Sequence, residues 1–99
     1  MYIIRETTYF SHWLTKLKDV RGKVSIIRRL KRLSNGNFGD YKSVGNHLYE
    51  LRITTGPGYR IYYIQQDTEM IILLVGGDKS SQTKDIEKAK KIAKEYQNE

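Results

Sequence analysis

The chain has 99 residues, enough for one domain and too few for two. Eighteen Lys and Arg against 11 Asp and Glu leave a net charge of +7, which points to an acidic partner: nucleic acid, an anionic membrane or an acidic protein. With no cysteine and two histidines, disulfide scaffolds, cysteine nucleophiles and thiolate metal sites are excluded, and no metal ligand set or cofactor is expected. The longest apolar run, Met70 to Val75, is far short of a membrane span, and the start Met1-Tyr-Ile-Ile-Arg-Glu6 lacks the features of a signal peptide. The expectation is a single, soluble, cytoplasmic domain over residues 1–99, with no membrane association.

Tyr2 to Arg5 is rich in β-forming residues and predicts a first strand. Thr7-Thr8 can cap a helix carrying Phe10, Trp13, Leu14 and Leu17 on one face. His12 flanks that face and reads as a packing residue. Asp19 can cap a second helix with Val20, Val24, Ile27, Leu30 and Leu33 as its apolar stripe, and Asn35-Gly36 closes it. These two helices form a hairpin. A glycine-rich loop, Asn35 to Gly39, follows, and His47 reads as a loop residue.

Leu48 to Ile53 alternates as a half-buried strand, Thr54-Thr-Gly-Pro-Gly58 turns the chain, and Tyr59 to Ile64 is the next strand. Met70 to Val75 is apolar on both faces, as expected of a strand covered on both sides. Gly76-Gly77 ends it, and Ser80-Ser81 cap a last helix with Ile86, Ala89, Ala93 and Tyr96 on one face. The segment before that helix lacks P-loop spacing. Short turns require the three-strand meander to be antiparallel. The predicted order is β-αα-βββ-α: an α+β domain with a mainly antiparallel four-stranded sheet, the helical hairpin on one face, and a C-terminal helix.

The charge is unevenly placed. Lys16 to Arg32 holds eight basic residues and one acid, Asp19, so this segment carries +7; the remainder has ten basic and ten acidic groups, which cancel. Arg21, Lys23, Arg28, Arg29, Lys31 and Arg32 are the candidate RNA-phosphate contacts, with Arg21, Arg28 and Arg32 on one stripe. Strand parity places Glu50 with Arg52, and Arg60 with Tyr62, on the face turned away from the hairpin, and Lys79 emerges at the end of the last strand. Such a set suits RNA phosphodiester cleavage. A base takes the ribose 2′-OH proton, cations stabilise the pentavalent phosphate, and an acid protonates the leaving oxygen. Glu50 is the candidate base, Arg52 and Arg60 hold the developing charge, and Lys79 or Tyr62 supplies or assists the acid. Tyr62 is also the best placed of the tyrosines to stack on a base, whereas Tyr59 and Tyr63 read as core.

Tyr49-Glu-Leu-Arg-Ile53, Gly56-Pro-Gly-Tyr-Arg-Ile-Tyr-Tyr63, Leu73-Leu-Val-Gly-Gly-Asp-Lys-Ser-Ser-Gln82 and Asp85-Ile86 together resemble the RelE/ParE toxin superfamily, in its HigB-like addiction module killer branch, also described as phage Gp49-like. The element order agrees over essentially the whole chain. The resemblance implies the toxin of a type II toxin–antitoxin module. RelE and HigB types cut mRNA in the ribosomal A site and so arrest translation and growth; the ParE type, the alternative, poisons DNA gyrase without chemistry of its own. Arg52, Arg60 and Lys79 match the basic working positions of RelE-like toxins. Glu50 stands where those toxins often carry a basic residue, and the C-terminal Tyr or His catalyst of several branches has no counterpart here. The implied partners are the ribosome, mRNA and a cognate antitoxin, of helix-turn-helix type, from a neighbouring gene. Because the charge lies in the hairpin and the chemistry in the strands, docking and cleavage are expected to be separable.

Overall fold

The computed structural model describes residues 1–97 and is a three-layer α+β structure in which a five-stranded sheet separates a helical hairpin from a C-terminal helix. Strand β1 (Ile3–Glu6) leads into α1 (Thr8–Lys16) and α2 (Val20–Ser34); β2 (Tyr41–Gly45), β3 (Leu48–Ile53), β4 (Tyr59–Gln66) and β5 (Met70–Asp78) follow, and α3 (Gln82–Gln97) closes the fold. The sheet order is β1-β5-β4-β3-β2. Strand β1 runs parallel to β5, with Ile3 opposite Met70 and Glu6 opposite Leu73; all other pairings are antiparallel.

Two of the three predicted N-caps are present; Asp78, not Ser80 or Ser81, caps the 3₁₀ turn that leads into α3, and Ser81 Oγ instead donates to Asp85 Oδ2 at 2.6 Å. Thr7 Oγ1 accepts from Phe10 N at 3.1 Å and donates to Leu74 O at 2.6 Å, so one hydroxyl starts α1 and ties it to β5. Asp19 accepts from Gly22 N at 3.1 Å and from the Tyr59 hydroxyl at 2.6 Å, which joins the start of α2 to β4. These hydrogen bonds hold the Asp19 carboxyl below the usual carboxylate range.

Two further expectations need correction. The sheet has five strands, because Tyr41–Gly45 forms an edge strand on β3. Its side chains are mostly exposed, so it shows no apolar alternation; backbone pairing and the tight turn at Asn46 and His47, both with positive φ, define it. The second correction concerns α2. Its buried face is Gly22, Ile26, Arg29 and Leu33, while Val20, Val24 and Ile27 are 72%, 43% and 55% exposed. Gly22 sets this rotation, since a Cβ there would meet the Tyr59 ring at 2.5 Å. A hydropathy stripe counts apolar residues and cannot register that a bare glycine lets helix and sheet approach.

The sheet divides the core in two. Phe10, Ile26, Leu33, Leu51, Ile61 and Leu73 pack on the hairpin side, with Tyr59 and Tyr63 among them as predicted. Leu48, Ile64, Leu74, Ala89, Ile92 and Ala93 pack under α3. Strand β5 lies between both layers, which is why it reads as a continuous apolar run. A bulge between its pairings with Tyr62 and Tyr63 gives β5 one extra residue, and both Leu74 and Val75 point to the α3 side. Beyond it, Gly76 lies flat under Trp13, and Gly77 lies against the Asp85 carboxylate; a Cβ at either would collide with these groups.

Candidate active site

The C-terminal end of β3, the N-terminal end of β4 and the C-terminal end of β5 meet at one corner of the sheet. Arg52 and Arg60 sit directly opposite each other on β3 and β4. Two like charges in that position repel. Glu50, one inward-facing position deeper on β3, offsets this: Arg60 Nη1 donates to Glu50 Oε1 at 2.8 Å, and Arg52 Nε lies 3.7 Å from the same oxygen. The other Glu50 oxygen accepts from Gln82 Nε2 at 2.9 Å, at the first residue of α3. Glu50 is completely buried. The guanidinium of Arg60 is therefore held by a carboxylate that is itself held by the C-terminal helix.

Above this pair lies a groove of about 250 Å³ whose walls include Asp40, Arg52, Thr54, Pro57, Arg60 and Lys79. Lys79 is exposed, in the single 3₁₀ turn after β5. Asp78 starts that turn by accepting from Ser80 N at 2.8 Å; the Ser80 hydroxyl and this backbone N–H keep its carboxyl below the usual range. Asp40, 54% exposed, places Oδ1 3.5 Å from Arg52 Nε. Among the described residues it is the one carboxylate lining this groove.

The five strand candidates thus divide by depth. Arg52, Arg60 and Lys79 line the groove; Glu50 and Tyr62 lie beneath it. Tyr62 is fully buried under α3 with its hydroxyl unpartnered, which removes it as a surface for stacking bases. Burial, and then the charge of Glu50, push its phenol well above the ordinary tyrosine value, so it holds its proton in the core. Period-two parity identifies a shared face, but the depth on that face depends on α3, which covers its lower half. Asp40 and Gln82 were not legible as site residues: one precedes the strand that hydropathy does not reveal, and the other reaches the site only through the packing of α3.

The hairpin cluster divides as well. Arg21, Arg28, Lys31 and Arg32 are exposed, and Lys23 is half-buried with Nζ donating to Thr15 O at 3.2 Å. Arg29 is corrected: it is buried, and its guanidinium donates to Arg52 O at 2.6 Å, Phe38 O at 3.1 Å and Asp40 O at 3.3 Å. Burial lowers its pKa from the ordinary arginine value. It clamps α2 to the loop before β2 and to the end of β3, and so positions the backbone of two groove residues.

Among the described residues no three His, Cys, Asp or Glu side chains gather to hold a metal ion, and no helix is long and apolar enough to cross a membrane. His12 and His47 are exposed and lie away from the groove, His47 in the β2–β3 turn.

The fold is similar to that of a chain of the intact E. coli RelBE toxin–antitoxin complex, with a TM-score of 0.62 at 13% identity, covering 79% of this chain and 96% of that one. A conserved hypothetical protein of Helicobacter pylori superposes with a TM-score of 0.49 at 24% identity, over 81% of this chain and 97% of that one. An uncharacterized protein of Haemophilus influenzae is 53% identical over 92 residues, 93% of each chain. Residues 12–97 match the family model described as Phage derived protein Gp49-like (DUF891), and the match runs from the second half of α1 through α2, every groove residue and α3; the chain belongs to this Gp49-like family.

Proposed function

We propose that the protein is the toxin of a type II toxin–antitoxin module and that it cuts mRNA on the ribosome. The observation that carries the reading is the groove itself: three cations, Arg52, Arg60 and Lys79, line one open hollow, and Glu50, the carboxylate that pairs with both arginines, is buried beneath them. The RelE-like fold supports it. Such a surface binds a scissile phosphate and holds its developing charge without needing to move.

In the proposed step, the ribose 2′-oxygen gives up its proton and attacks the adjacent phosphorus. The bond to the 5′-oxygen breaks, that oxygen takes up a proton, and a 2′,3′-cyclic phosphate remains. Arg52 and Arg60 neutralise the equatorial oxygens. Lys79, free and at the groove mouth, stands by the leaving oxygen. Both oxygens of Glu50 are engaged and its side chain is sealed from solvent, which suits a positioning residue. The exposed Asp40 carboxylate takes the proton-accepting place instead. An antitoxin partner follows from the toxin reading.

Induced expression in a bacterial host tests this. New ends on translated messages, dependent on active ribosomes and absent with Lys79→Ala, are the expected result. Intact messages would overturn it. Double-strand DNA breaks with translation initially unaffected would instead favour gyrase as the target. Lys79 is exposed and makes no described contact, so its replacement should change stability by less than about 0.5 kcal/mol, and lost cleavage cannot be blamed on unfolding.

A further inference from the structure

Three hollows on this surface are joined. The groove over Arg52 and Arg60 shares Ile53 and Thr54 with a second hollow, of about 190 Å³, walled by Ser25, Arg28, Arg32 and Thr55. The second shares Arg28 and Arg32 with a third, of about 570 Å³, bounded also by Lys31 and Asn35. The wall between α2 and the β3–β4 turn is held by a 2.9 Å hydrogen bond between Ser25 Oγ and Thr55 Oγ1. Beneath it, Arg29 gives its terminal nitrogens to backbone carbonyls. Arg28 and Arg32, both exposed, have no described ion pair, and among the described residues no carboxylate lines the second or third hollow.

We propose that these hollows are one track for a single RNA strand: the strand whose scissile phosphate lies between Arg52 and Arg60 crosses Thr54 and sets its next phosphates against Arg28, Arg32 and Lys31. This rests on the ribonuclease reading and deepens it, because it makes the hairpin part of the substrate site and not a separate dock. The chemistry fits a polyanion. Guanidinium forks take phosphate oxygens, and the Ser25, Thr54 and Thr55 hydroxyls add short donors without selecting a base. The third hollow lies over the last turn of α2, where the helix dipole opposes an anion, so the second hollow contributes most of the added affinity. Three hollows with one phosphate each correspond to about four nucleotides.

The test uses fluorescein-labelled 2′-O-methyl oligouridylates of two, three, five and eight nucleotides, which cannot be cleaved, with anisotropy as the readout. For the wild-type protein, Kd should fall at least about tenfold from two to five nucleotides and change little from five to eight. Arg28→Gln/Arg32→Gln should weaken the five-mer about tenfold and the two-mer less than about twofold, and should lower the salt slope of five-mer binding by about 1.4, the value for two single-strand phosphates. A wild-type series that does not tighten with length, or a double variant that weakens two-mer and five-mer equally or neither, would overturn the track. Circular dichroism of the double variant checks that it is folded; if it is not, Arg28→Lys/Arg32→Lys, which keeps the charge, must retain the length dependence, and losing it overturns the track. The two readings fail separately. Growth arrest that survives Arg60→Ala and Lys79→Ala overturns the ribonuclease reading through cells and leaves the oligomer series to decide the track.

Discussion

Among the described residues Glu50 is the one carboxylate within ion-pair distance of both facing arginines, and it offsets their repulsion across β3 and β4. Breaking a buried, paired charge costs about 3 kcal/mol or more, so Glu50→Gln should lower the unfolding free energy by that order in denaturant titration. It should also reduce cleavage while leaving the shape of the pH–rate profile unchanged, since it positions the arginines and moves no proton. Asp40→Asn, by contrast, should leave stability nearly unchanged in denaturant titration while cleavage is reduced. Tyr59 and Asp19 form a second residue-scale device. The Tyr59 hydroxyl is the main reason that the Asp19 carboxyl sits below its ordinary value of 3.8; in turn burial, and then Asp19, raise the phenol to about 12. A depressed carboxyl stabilises the fold above its unfolded pKa and loses that contribution as pH falls. A raised phenol loses its contribution as pH climbs from 10 towards 12. Thermal unfolding of Tyr59→Phe should therefore show its deficit against wild type at neutral pH, and a deficit that shrinks both as pH falls below the ordinary carboxylate value and as it climbs from 10 towards 12.

At the scale of elements, α2 is informative because its sequence offers two interleaved faces. Val20, Val24 and Ile27 carry more hydropathy than Gly22, Ile26 and Arg29, yet the latter face the sheet. Replacing Val24 and Ile27 by Gln should each change stability by about 0.5 kcal/mol or less, whereas Ile26→Ala should cost about 2–5 kcal/mol. Equal costs in denaturant unfolding would refute the observed rotation. Strand β5 tests close packing in the same way. Gly76→Ala would press a methyl group into the Trp13 ring and should destabilise by about 1–3 kcal/mol. The strand most open to solvent, β2, was the one that hydropathy could not reveal, since an edge strand needs only one partner and no buried face.

Across the whole molecule, the surplus charge of residues 16–32 and the neutral remainder are not two separate surfaces. The β3–β4 turn brings Thr54 and Thr55 against Ser25, so the basic stripe of α2 continues into the groove of Arg52, Arg60 and Lys79. By itself the sequence determined what periodicity and local chemistry decide: the order of helices and meander strands, the caps at Thr7 and Asp19, the doubly covered β5, the concentration of charge in the hairpin, and the family through its linked strand motifs. These depend on neighbours a few residues apart. Only the tertiary structure decided which arginine is a clamp and which is free, which carboxylate is sealed and which is open, and that Gln82, 32 positions away, anchors Glu50. Those outcomes depend on depth beneath α3 and on the approach of α2 to the sheet. Both are set by contacts between residues distant in the chain, above all a glycine that lets Tyr59 come close.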